Sequence, residues 1–320
     1  MRPGGAALPA GRPDPRLGAA GGPHPVSPAA PPASPLGGIA LVLCAVACFA
    51  VLDTTTKAVT VTVPLLMGLW FRYAFQAIAT TAIVLPRQGL KMLRTAHPRF
   101  QLLRGVLLLT SSLLAFLSLK TMPVGEFTAI VMITPLVITL LAARTLGERV
   151  SPQRWALVIG GFVGTMVIIR PGDEAFDWRL LLPLALVATN AWFQVLTSKL
   201  ARTDAPLTTH LYTGWIGTLA ASIPLPFVWV QLPDWRLWAG LLLMGMMATV
   251  GHFLLILGYS RAPAATLTPY LYGQIGFAML GGWLVFSHVP DGWSLLGMAL
   301  VAVCGALGAW LTLREGRLSR

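Results

Sequence analysis

Read for hydrophobic periodicity, the chain gives one signal repeatedly: long runs that are apolar all round, separated by short polar breaks. A helix rises 1.5 Å per residue, so about 20 residues cross a bilayer core of roughly 30 Å. Runs of that order fall at 37–57, 63–85, 101–119, 124–145, 152–170, 179–199, 206–230, 237–259, 264–286 and 292–313. Pro, Gly and charge mark the breaks, as in "KTMP" after the third run, "RTLGERVSP" after the fourth, "RPGDEAFDW" after the fifth and "SHVPDGW" after the ninth. The pattern predicts an all-α integral membrane protein of ten transmembrane helices with short loops. Residues 1–35 differ, since Pro, Gly and Ala alternate there without an apolar period. Such a stretch buries too little apolar surface to order itself, and it is expected to be a disordered cytoplasmic tail without a cleaved secretory signal.

The chain also resembles itself. Sliding it by 140 residues sets Pro123 on Pro263, Thr128 on Thr268 and Gly147–Glu148 on Ser287–His288, and one further residue sets Gly164 on Gly305. These matches fall at the same place in each set of five runs. A repeat with an odd number of spans enters the membrane upside down relative to its partner. The expectation is therefore two inverted five-helix repeats, 36–171 and 178–314, followed by a cytoplasmic tail at 315–320. In such plans the substrate site lies at the repeat interface.

Composition agrees with the pattern: 56% of residues are hydrophobic and 11% charged, with a mean hydropathy of +0.73, against roughly 25% charged in soluble domains. The net charge of +12 does not point to nucleic acid, because the basic residues are scattered between apolar runs instead of gathered on one soluble face. A cytoplasmic N-terminus puts 17 of the 23 Lys and Arg on that side, Arg87, Arg104, Arg149, Arg154 and Arg202 among them. The positive-inside bias thus predicts both termini in the cytoplasm. Cys44, Cys48 and Cys304 lie inside apolar runs and read as small core residues, with no disulfide framework. There is no GxxxxGK[ST] for ATP, no HExxH, and no nucleophile elbow with a histidine on a neighbouring span. His210 and His252 lack a second ligand at metal spacing. Neither an enzyme, a cofactor nor a metal is expected.

Charge inside a span costs about 2.5–3.5 kcal/mol on insertion scales, so it normally faces a cavity or a partner. Asp53 and Lys57 stand four apart at the end of the first span, on one helix face, and can satisfy each other. Arg72 and Gln76 repeat the spacing in the second span, and a guanidinium with five donors needs an acceptor, either Asp53 or a substrate carboxylate or phosphate. Asn190 with Gln194, and Tyr270 with Gln274, are uncharged pairs at the same spacing; ligand contact and helix glue are both open to them. Lys57, Arg72, Gln76, Asn190, Gln194, Tyr270 and Gln274 are thus the candidate substrate contacts. Asp53 and Glu126 are candidates for charge balance or coupling, with first-turn capping the alternative for Glu126. Trp192 and Trp215 lie deeper than the interfacial tryptophans and either line the site or fill the core. Gly160, Gly164, Gly281, Gly282, Gly305 and Gly308 are expected where backbones approach, and Pro135, Pro183 and Pro269 where helices kink.

Two stretches then identify a resemblance. Residues 104–172, containing "LGERVSP", are similar to the first repeat of the drug/metabolite transporter superfamily in its EamA branch, and residues 259–297, "YSRAPAATLTPYLYGQIGFAMLGGWLVFSHVPDGWSLLG", to the second. "DTTTK", Arg72 and "IIRPG" resemble the S-adenosylmethionine-uptake-type members most. The resemblance implies a secondary transporter of small organic metabolites working by alternating access, without an ATPase domain. Its expected partners are a small-molecule solute and the lipid bilayer, with a proton as candidate coupling ion and a monomer or homodimer as the assembly. An exporter of the same fold and a non-transporting membrane scaffold or sensor are the alternatives. His288 stands where a Glu is usual in that branch, which makes it a candidate for pH-sensitive gating or a neutral loop change.

Overall fold

The computed structural model describes Met1 and residues 35–89, 93–121, 130–169, 181–287 and 291–318. Glu126, His288 and nearly all of the predicted tail lie outside the described residues. Residues 33–320 form one compact unit, and every regular element among the described residues is helical. In chain order these are α1 (Pro35–Val59), α2 (Leu65–Gln88), α3 (Pro98–Thr121), α4 (Thr134–Thr145), α5 (Pro152–Ile169), α6 (Leu181–Leu200), α7 (Pro206–Ser222), α8 (Leu225–Val228), α9 (Trp235–Arg261), α10 (Ala264–Leu271), α11 (Gly273–Phe286) and α12 (Gly292–Leu318). Among the described residues six helices, α1, α2, α3, α6, α9 and α12, contain stretches long and apolar enough to cross a membrane. The chain is therefore a multi-pass membrane protein.

Three predicted spans are interrupted among the described residues. The run 206–230 ends as α7 at Ser222, and the short α8 follows Pro224. The run 264–286 divides into α10 and α11 at Tyr272. Proline explains the strain here: Pro269 has no N–H for the carbonyl of Ala265 one turn back. Thr268 Oγ1 takes that carbonyl instead, at 3.2 Å. A comparable break lies at Met132–Ile133, just before Pro135, where Ile133 N bonds to Ile130 O at 3.0 Å instead of four residues back. Met132 and Tyr272 are separated by the same 140 residues that relate the two halves of the sequence. The broken elements meet where Thr139 and Thr268 share a hydrogen bond of 3.0 Å.

The main packing joins the first set of helices to the second: α1 to α9, α10 and α11, α2 to α7 and α9, α3 to α6 and α7, α4 to α6 and α10, and α5 to α12. With α10 and α11 taken as one broken span, exchanging the first five spans for the last five returns the same set. The α1–α9 contact becomes α3–α6, α2–α9 becomes α3–α7, and α1 with the broken span becomes α4–α6.

Close approach is sharpest between α5 and α12. A methyl on Gly297 would lie 2.5 Å from Gly164 O, and one on Gly164 would lie 3.0 Å from Gly297 O. Gly160 faces Cys304, Gly281 faces Thr54 and Gly308 faces Tyr270, but Gly282 has open space around it and Gly305 has nothing nearer than 4.0 Å. The expected role in close packing therefore fails for Gly282. Cys44 is exposed, so the sequence reading of all three cysteines as core is corrected there, while Cys304 is buried. Gly297→Leu should destabilise the protein by about 1–3 kcal/mol through overpacking. Thermal unfolding in detergent checks it, with Gly282→Leu as a variant expected to melt like the wild type.

Candidate functional site

Arg72 lies in the middle of α2, half-buried. Its Nη1 donates to Ser112 Oγ of α3 at 3.1 Å, and its guanidinium carbon stands 5.4 Å from the Tyr73 ring centre. The Tyr73 hydroxyl shares the same Ser112 oxygen at 3.1 Å. Arg72 Nε is buried and has no hydrogen-bond acceptor, and among the described residues Arg72 makes no ion pair. A group with five donors thus uses few of them. It is an under-coordinated cation in the interior of a membrane protein.

Asp53 of α1 stands opposite in charge. It is exposed on the surface of α1. Gln274 Nε2 of α11 donates to Asp53 Oδ2 at 2.8 Å, and Asp53 lies within electrostatic reach of Arg72. The neighbouring Thr54 packs on Gly281, which sets the register of α1 against α11. Lys57, one turn further on, is exposed near the end of α1. The sequence spacing offered Asp53 to Lys57; the structure gives its hydrogen bond to Gln274, 221 positions away.

Asn190 and Gln194 share a face of α6 and are joined, Gln194 Nε2 donating to Asn190 Oδ1 at 2.8 Å. Tyr259 of α9 donates its hydroxyl to Gln194 Oε1 at 2.6 Å. Trp192, two residues from Asn190, points about 200° around the helix from it and is 43% exposed. Trp215 is exposed as well, its Nε1 donating to Thr81 Oγ1 at 3.0 Å. Neither tryptophan joins the polar residues.

Gln76 and Tyr270 are drawn into helix contacts. Gln76 is buried and donates to the His210 carbonyl at 3.0 Å, and the His210 ring bridges Thr80 at 2.8 Å and the Thr249 carbonyl at 3.0 Å. Tyr270 is buried facing α12, its hydroxyl 3.0 Å from where a Cβ of Gly308 would stand. Because α10 ends at Leu271 and α11 starts at Gly273, Tyr270 and Gln274 no longer share a helix face. Asp53, Lys57, Arg72, Gln274, Asn190 and Gln194 are the polar members of the predicted set that stay exposed or half-buried. Glu126 lies outside the described residues.

Two clusters escaped the sequence reading. Arg104, assigned there to the basic cytoplasmic side, is fully buried in α3. Its Nε donates to Thr197 Oγ1 at 2.7 Å, its Nη1 to Thr209 O at 3.2 Å and to Thr213 Oγ1, and its guanidinium carbon lies 4.6 Å from the Phe193 ring centre. Gln101 continues the network to Thr209 Oγ1 at 3.0 Å and Asp204 Oδ2 at 2.8 Å, and Asp204 also receives Thr95 Oγ1 and Ala96 N. Thr209 and Thr213, four apart on one face of α7, were the available signal. The second cluster surrounds a cavity of about 280 Å³ at the ends of α4, α10 and α12, lined by Glu148, Arg149, Arg154, Thr266 and Glu315 among others. There Glu148 of "LGERVSP" accepts from Arg202 at 2.5 Å and from Ala265 N at 3.0 Å, and Arg154 pairs with Glu315 at 2.5 Å. A carboxylate on the first turn of α10 also suits the helix dipole.

Comparison with known proteins follows the same lines. The profile of the EamA-like transporter family matches residues 36–170. A riboflavin transporter of Rhizobium johnstonii is 31% identical over 271 residues, 83% of this chain and 88% of that protein. An S-adenosylmethionine uptake transporter of Rickettsia bellii is 27% identical, covering 72% of this chain and 79% of its own. The pseudopaline exporter CntI of Pseudomonas aeruginosa is 24% identical, covering 84% and 95%. A crystal structure with 19% identity superposes with a TM-score of 0.74 over 87% of this chain and 98% of the other, a likeness of fold.

Proposed function

The chain belongs to the EamA-like transporter family, and from that premise we propose that it is an inner-membrane secondary transporter for a small metabolite bearing opposite charges. The observation that carries this reading is Arg72, a cation with donors to spare, within electrostatic reach of an exposed Asp53. In the empty protein each charge offsets the other. With solute bound, Arg72 takes a carboxylate and Asp53, steadied by Gln274, takes a cationic group. An amino-acid-like or S-adenosylmethionine-like solute has both, and the relatives named for S-adenosylmethionine uptake support it. A flavin is the second reading, favoured by the riboflavin transporter at 31% identity; its ring carbonyls would accept from Arg72 and Asn190.

The packing that survives exchange of the two sets of five spans, and the helix breaks 140 residues apart, support two inverted halves, 36–171 and 178–314, rocking about this site. Both termini are assigned to the cytoplasm on the Lys/Arg bias. Asp53 is our candidate proton carrier, with Glu126 the other. A scaffold without transport would leave the Arg72–Asp53 arrangement without a task.

Uptake of labelled S-adenosylmethionine, amino acids and riboflavin into proteoliposomes, in both directions and with and without a pH gradient, tests the proposal. Accumulation of one of the first two supports it, movement of riboflavin alone replaces it by the flavin reading, and failure of all of them overturns it. Asp53→Asn is expected to weaken solute exchange and to reduce gradient-driven accumulation by about tenfold more than exchange, since an amide neither carries a proton nor pairs with a cationic group. Equal loss of both modes would make Asp53 a binding group only.

A further inference from the structure

Tyr259 is 2% exposed, and its hydroxyl meets Gln194 Oε1 at 2.6 Å while Gln194 Nε2 meets Asn190 Oδ1 at 2.8 Å. A phenol has one proton, and a side-chain amide has distinct donor and acceptor ends. Leaving a buried hydroxyl proton without an acceptor is costly. Among the described residues Gln194 is the hydrogen-bond partner of that hydroxyl. The proton therefore claims the Gln194 oxygen and turns the Gln194 NH2 toward Asn190. The Asn190 oxygen is occupied in turn, so its NH2 becomes the outer end of the chain.

Asn190 and Gln194 are half-buried. Beside them Ser111 Oγ donates to Thr189 Oγ1 at 2.9 Å, and the next residue on α3, Ser112, receives Arg72. Along the chain, Asn190 follows Thr189 and the Arg72 acceptor Ser112 follows Ser111, so both groups border the same α3–α6 contact in sequence. Both offer N–H groups.

We propose that Tyr259 is a positioning residue that sets the polarity of this wall. By orienting both amides it leaves an N–H of Asn190 at the outer end of the α6 chain, which takes the acceptor end of the solute and favours a carboxylate, with two acceptor oxygens, over a carboxamide or an ammonium there. This rests on the zwitterion reading above, and it adds which end of the solute faces α6 and why. Isolated amides at Asn190 and Gln194 would flip to suit either end; tethered to a single buried proton, they do not.

The test uses the full chain in nanodiscs, with equilibrium binding of S-adenosylmethionine and its carboxamide. Wild type should prefer the carboxylate, and Tyr259→Phe, which keeps the ring and its packing, should reduce that preference by about tenfold, as loss of one directed hydrogen bond would. Gln194→Glu should reverse it, because a carboxylate still accepts from Tyr259 but forces Asn190 to donate inward and turn its oxygen out. A Tyr259→Phe protein with the wild-type preference overturns the proposal. A second readout needs no solute: in spectra of ¹⁵N-glutamine- and ¹⁵N-asparagine-labelled protein, the Gln194 side-chain amide, identified by its loss in Gln194→Ala, should be protected from exchange in wild type and unprotected in Tyr259→Phe. If wild type binds neither compound, the S-adenosylmethionine-like reading falls, and amide protection alone decides Tyr259, unchanged protection overturning its role and lost protection upholding it.

Discussion

Replacing Arg72 with alanine is expected to abolish uptake and leave the protein folded. The second half follows from how little holds Arg72: one hydrogen bond to Ser112 and a cation–π contact with Tyr73. The net loss is about 1–2 kcal/mol, and it is opposed by release of a charge whose burial in a membrane costs about 2.5–3.5 kcal/mol. The first half follows from what Arg72 offers the solute. A desolvated, hydrogen-bonded charge pair that loses one partner forfeits about 2–5 kcal/mol, which at 1.4 kcal/mol per decade is a loss of roughly 30-fold to several thousand-fold. Arg72→Lys keeps the charge without the planar fork and should recover only a minor fraction of the rate. Proteoliposome uptake, beside a melting curve for each variant, reads both halves. Wild-type transport by Arg72→Ala would reduce Arg72 to a clamp between α2 and α3.

Arg104→Ala should do the reverse, damaging the fold far more than any recognition step. Its guanidinium joins α3 to Thr197 of α6 and to Thr209 and Thr213 of α7, over the face of Phe193. Alanine leaves buried acceptors unmet at about 1–3 kcal/mol each and opens a cavity that relaxes only in part. Relief of the buried charge offsets some of this, so the expected net loss is about 3 kcal/mol, or roughly 5–10 °C in melting temperature. Arg104→Met restores the volume without the donors, and should fall between alanine and wild type. If Arg104→Ala melts with the wild type, the network contributes nothing to the bundle.

These two arginines show where a single chain is legible. Arg72 read as a charge inside the second span, whereas a tally of Lys and Arg by loop assigned Arg104 to the cytoplasmic side. Only the packing of α3 against α6 and α7 reveals that it is fully buried, because burial depends on what other segments bring. Arg72 was recognisable as a candidate site residue from its position inside a span, since a charge that cannot be shed must be accounted for wherever the chain runs. Six of the ten predicted spans were legible as well, because apolar length measured against a bilayer is a local property.

Partners were not local. The rule that residues four apart share a helix face held for Asn190 and Gln194, which are hydrogen-bonded on α6. It failed for Tyr270 and Gln274, because the helix stops at Tyr272, after Pro269, and turns one toward α12 and the other toward Asp53. It was silent on Tyr259, an ordinary tyrosine in sequence that reaches Gln194 from 65 positions away. The sequence by itself determined which residues must live in the membrane and which of them carry charge, since both follow from side-chain chemistry against a slab of fixed thickness. The tertiary structure alone decided which charges meet, which are buried and which way the amides point, because hydrogen bonds are settled by distances of about 3 Å between helices that only folding brings together.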